Sequence, residues 1–90
     1  MFLSILTKWN NRRDLREAYR AIERIQTAQT PREADMLTGY AVGVIDEKFN
    51  NGKLTSATAD AIAEMAEAVG EGTRRELLEE FRAANFEAEQ

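Results

Sequence analysis

Val69-Gly70-Glu71-Gly72-Thr73-Arg74-Arg75-Glu76 decides how many helices this chain makes. Its two glycines each cost a helix interior up to about 1 kcal/mol relative to alanine. Directly after them, Thr73-Arg74-Arg75-Glu76 sets a threonine and a glutamate at the spacing of a capping box. Read this way, one helix stops near Gly70 and another opens at Thr73. Thr30-Pro31-Arg32-Glu33 carries the same signature, with proline at the first helical position, and opens a helix that should run to about Phe49. Asn50-Asn51-Gly52 tolerates the left-handed conformation of a helix stop, and Thr55 or Ser56 suits the start of the next helix. Asn10 or Asn11 can cap the first helix, which should reach about Ala28 with Asp14 in its first turn. The expected fold is all-α: a compact bundle of four helices with an N-terminal amphipathic helical arm. Residues 1–10 form the apolar arm and residues 11–90 a single helical-bundle domain.

In the arm, Phe2, Ile5, Leu6 and Trp9 recur at helical spacing on one side. Their register does not run smoothly into Leu15 and Ile22, so a bend is expected at Asn10-Asn11. Such a face can close over its own bundle, dock on a second subunit or lie in a membrane interface; the single basic residue, Lys8, makes the last the weakest. The segment has no basic leader, full-length apolar run or small-residue cleavage site. Nothing in the chain approaches the roughly 18 apolar residues of a membrane span. A soluble, cytoplasmic protein is expected.

Leu, Ile, Val and Phe make up about a fifth of the 90 residues, while alanine supplies fourteen. At about 25 cal/mol per Å² of apolar surface, an alanine-rich interior stabilises weakly, which argues for burial gained by homo-oligomerisation. The second helix reads as apolar almost all round and belongs mid-bundle. Ala34, Leu37, Ala41, Val44 and Ile45 form one side; Met36, Gly39, Tyr40 and Gly43 form much of another. Gly39 and Gly43 leave a shallow groove for another helix, in the first place one of the same chain and otherwise one of a second copy.

Charge is divided along the chain. Residues 1–32 hold seven basic and three acidic side chains, and residues 33–90 hold five basic and thirteen acidic ones, for a net charge of −4. Arg12, Arg16, Arg20 and Arg24 stand four apart, with Arg13 beside them, opposite the apolar Leu15, Ala18, Tyr19, Ile22 and Ile25. Like charges at that spacing repel by a few tenths of a kcal/mol per pair. The row is either a solvated face, with Glu17 pairing to Arg13 and Arg20 and Glu23 to Arg20, or a surface for a partner. Asp60, Glu64, Glu67 and Glu71 form an acidic stripe on the third helix, opposite Ile62, Met65, Ala66 and Val69. It too is either solvated or complementary to a basic patch, including the arginine row of another copy. Phe86 stands off the expected Leu77, Leu78 and Phe81 core stripe.

Histidine and cysteine are absent, which removes the common nucleophile–base pairs, thiolate metal shells and disulfides. No phosphate-binding glycine pattern follows a strand. The segment Glu47 to Thr58 aligns Gly52 and Leu54 with an EF-hand loop, but Phe49 takes a ligand position and Thr58 replaces the closing glutamate. No metal, no cofactor and no enzymatic activity are expected. The residues point to a non-catalytic protein–protein interaction module, an adaptor or small inhibitor of the kind phage and plasmid genomes encode. Its partner is another protein, met through the charged faces. The alternative is a nucleic-acid-associated accessory protein using the Arg12/Arg16/Arg20/Arg24 row.

Overall fold

The computed structural model describes the backbone of residues 11–89 and the side chains of residues 11–86. These residues form three helices: α1 (Arg12–Ile25), α2 (Pro31–Asn50) and α3 (Ser56–Glu89). No strand occurs among the described residues. The all-α expectation holds and the four-helix bundle does not. The arm residues Phe2, Ile5, Leu6 and Trp9 lie outside the described residues.

Four of the helix boundaries form as their residues dictate. Asn11 caps α1 by accepting the Arg13 N–H at 3.0 Å, and Thr30 Oγ1 accepts the Glu33 N–H at 3.1 Å with Pro31 behind it. α2 ends in a Schellman-type stop: the Lys53 N–H donates to the Lys48 carbonyl and the Gly52 N–H to the Phe49 carbonyl. Gly52 carries the positive φ of 71° that this stop requires. Thr55 Oγ1 then accepts the Thr58 N–H at the start of α3.

The expected break at Gly70–Thr73 does not occur, and α3 runs unbroken for 34 residues. Gly70 is buried, and a Cβ on it would overlap the Thr38 hydroxyl and stand 2.9 Å from Thr38 Cγ2. It is a contact residue where α2 crosses α3, with no role as a stop. Thr73 needs no capping function, because in an uninterrupted helix the N–H groups after it find carbonyls one turn back. The helix propensity lost at two glycines is about 1 kcal/mol each. Continuity compensates by keeping Val69, Thr73, Leu77 and Leu78 half-buried.

α1 and α2 both pack on the first two-thirds of α3. The core is built of Ala18, Ala21, Ile22, Ile25, Ala41, Ile45, Leu54, Ala59, Ile62 and Ala66. Alanines at the crossings let the helices approach closely, and the larger Ile25 and Ile45 fill the centre. α2 is not surrounded on all sides, because a three-helix arrangement covers only two of its flanks. Met36, Gly39, Tyr40 and Gly43 are exposed, and a Cβ on Gly39 or Gly43 would meet nothing within 4 Å. No described helix fills that groove. Met65 is also exposed rather than buried.

The contacts Thr38–Gly70 and Asp35–Arg74 (3.6 Å) fix α2 antiparallel on α3. By that register α2 begins beside Leu77, so the rest of α3 projects past the bundle. Phe81, expected in the core, is 63% exposed for this reason. The described residues measure 61 × 23 × 17 Å, and no described helix is long and apolar enough to cross a membrane.

Opposite effects are expected of alanine at the helical glycines. Gly70→Ala should destabilise by about 1–3 kcal/mol through overpacking, and adding Thr38→Ala should recover part of the loss. Gly39→Ala and Gly43→Ala should each stabilise by up to about 1 kcal/mol. Urea unfolding of the four variants checks this.

Candidate functional site

Lys48 falls on the buried stripe of α2, seven residues after Ala41 and three after Ile45. Its side chain is only 11% exposed. The ammonium reaches α1, where it donates to Asp14 Oδ1 at 2.7 Å and Glu17 Oε2 at 2.5 Å. The two carboxylates are one turn apart and flank the α1–α2 seam, Asp14 17% and Glu17 45% exposed. Burial pulls the Lys48 pKa down, but hydrogen bonds and charge from Asp14 and Glu17 outweigh it and hold the amine above its usual value. The hydrogen bond from Lys48, and then its charge, lowers the pKa of Glu17. A lysine that attacks as a nucleophile needs the opposite shift, so this one acts as a fixed cation tying two helices. Sequence reasoning missed it. The available signal was a lysine in phase with Ala34, Ala41 and Ile45, with two acids at i,i+3 on a neighbouring helix.

The cluster lies at the base of an open groove of about 760 Å³ between α1 and α2. Arg20, Arg24, Tyr40, Glu47 and Lys53 contribute to its walls. Along the outer edge, Arg12, Arg13, Arg16, Arg20 and Arg24 are all exposed, as their spacing implied. Glu17 pairs with Arg13 at 3.4 Å, but its other oxygen is taken by Lys48, and it makes no ion pair with Arg20. Glu23 makes no ion pair among the described residues. Arg24 stands 5.9 Å from the centroid of the Tyr40 ring, within cation–π range. Arg12, Arg16 and Arg20 have no ion-pair partner among the described residues.

Asp60, Glu64, Glu67 and Glu71 are exposed on α3. Glu71 pairs with Arg75 of its own helix at 3.1 Å, and no described ion pair joins this row to the arginines. The reason is angular. α3 turns Val69, Gly72 and Thr73 towards Gln26 at the end of α1 and Gly70 towards α2, which leaves the acidic row on the remaining flank. The two charged faces are separate surfaces of one molecule. Gly39 and Gly43 lie on a third, the open side of α2. Among the described residues no group of three or more acidic side chains is arranged to hold a metal ion.

Comparison of the chain with protein-family models, with curated proteins and with solved structures finds no match.

The Lys48 cluster sets a pH dependence. Glu17, with its pKa lowered from 4.5, contributes stability above that value and loses it as pH falls through the lowered one. Lys48, with its pKa raised from 10.5, contributes below that value and loses it as pH rises through the raised one. Stability should therefore be level between about pH 5 and pH 10 and fall on both sides. Lys48→Met should cost about 1–2 kcal/mol at neutral pH, between the figures for exposed and buried pairs. It should also make the acid decline shallower, as should Glu17→Gln. Urea midpoints measured from pH 3 to pH 7 test this; an acid slope unchanged in both variants would contradict it.

Proposed function

We propose that the protein is a non-catalytic interaction module, an adaptor or small inhibitor. Its outer α1 edge, Arg12, Arg16 and Arg20 with Arg24 against Tyr40, receives an acidic surface of another protein. One observation carries the reading: Arg12, Arg16 and Arg20 stand exposed in a row along α1 with no ion-pair partner among the described residues. From Arg12 to Arg24 the edge is roughly 18 Å long. Guanidiniums suit such a contact, being planar, always charged and able to hold carboxylates with two hydrogen bonds. Unpaired surface charges of one sign also steer a partner of the opposite sign and speed encounter. The groove beside the edge gives a partner side chain room next to Tyr40.

Reversing two of the free arginines separates this contact from stability. Arg16→Glu/Arg20→Glu should change folding stability by no more than about 0.5 kcal/mol, as expected for exposed sites, yet abolish co-purification of the partner from the native host. Wild-type recovery should withstand nuclease and weaken with salt, because exposed charges are screened over roughly 8 Å at physiological ionic strength. Mixed-sequence DNA and RNA should give no gel shift at micromolar protein. A shift lost in the variant would overturn the protein-partner reading in favour of nucleic acid.

A further inference from the structure

The two ends of this molecule each carry an apolar segment, and within one chain the first falls short of the phenylalanines of the second. At one pole α3 projects beyond α2 with Phe81 and Phe86 63% and 62% exposed and Leu77 and Leu78 half-buried beside them. Leu78 stands between the two phenylalanines around the helix, about 60° from one and 80° from the other. At the other pole the Asn11 N–H donates to the Lys53 carbonyl at 3.0 Å, beside the first turn of α3. The segment bearing Phe2, Ile5, Leu6 and Trp9 departs from there. Along α3, Phe81 is roughly 38 Å and Phe86 roughly 45 Å from Ser56. From Asn11, full extension brings Phe2 at most roughly 31 Å away, Leu6 roughly 17 Å and Trp9 roughly 7 Å. The helical form that the spacing of these residues suits would reach less than half as far.

Two copies laid antiparallel remove the mismatch, because each copy's residues 2–9 then start beside the projecting α3 end of the other. We infer that the protein forms a two-fold dimer in which residues 2–9 of each copy cover Leu78, Phe81 and Phe86 of its mate. Such an exchange is reciprocal, so it closes at two copies and leaves no free end to propagate. The area suffices: covering about half of each of the eight aromatic side chains involved, with the Ile5, Leu6 and Leu78 pairs, removes roughly 1,200 Å² from water, at the lower end of the range of stable interfaces. Charge agrees as well, since Lys8 comes to a stretch that holds Glu76, Glu79 and Glu80 against Arg82. The inference rests on the two poles and not on the arginine edge, so either proposal can fail without the other.

The full chain in sedimentation equilibrium should show twice its 10.2 kDa mass across micromolar concentrations. Phe81→Glu/Phe86→Glu should shift it to the single-chain mass with its helical circular dichroism retained; if that variant loses helicity, Phe86→Glu alone serves, being the more distal change. The chain has no cysteine, so a Thr7→Cys chain mixed with an Asn85→Cys chain should give a covalent heterodimer on mild oxidation, in excess over either homodimer. A wild-type monomer, a dimer that tolerates the glutamates, or Asn85→Cys chains that cross-link to each other as readily as to Thr7→Cys chains would each overturn the inference.

Discussion

At the crossing of α2 and α3 there is room for a hydrogen atom and nothing larger. Thr38 sits on the Gly70 backbone there, and the rest of the architecture follows from that approach. It holds the two longest helices close enough for Ala34, Ala41, Ala59 and Ala66 to be buried. It also requires α3 to continue through a sequence that otherwise invites a stop. A continuous α3 outruns α2, whose first residue is Pro31, and so exposes Phe81 and Phe86 at one end. Since alanine contributes little apolar area per residue, the core depends on closeness of packing more than on side-chain bulk.

The polar seam between α1 and α2 connects this core to the surface. Lys48 draws Asp14 and Glu17 inward, and Glu17 spends its remaining oxygen on Arg13. Glu17, which could have neutralised Arg20, is thereby committed to Lys48 and Arg13, and Arg16 and Arg20 are left without ion-pair partners among the described residues. The exposed charge of α1 is thus a consequence of how the helix is attached as much as of its composition.

Those features governed by short-range chemistry were legible in the sequence. Asn11, Thr30 and Gly52 mark helix ends through bonds made within a few residues, and the outward face of the arginine row follows from its period. What depended on a distant partner was not legible. Gly70 reads alike as a stop or as a close contact, and only Thr38, 32 residues earlier, decides between them. A helical wheel assigns Phe81 to the core-facing side but does not say where the neighbouring helix begins. The apolar circumference of α2 suggested encirclement, whereas two neighbours leave Met36, Gly39, Tyr40 and Gly43 open. Lys48 escaped notice because a lysine is read as surface unless its acids on another helix are considered together with it.

Backbone carbon shifts and amide exchange across Val69–Leu78 test the central claim most directly. A continuous α3 seated on Thr38 predicts helical shifts at every residue of that stretch, with slow exchange at Gly72, Thr73 and Arg74. Extended-chain shifts at Gly72 or Thr73, together with fast exchange in the turn that follows, would contradict it: the capping box would then be in use, and the chain would hold four helices with no projecting end.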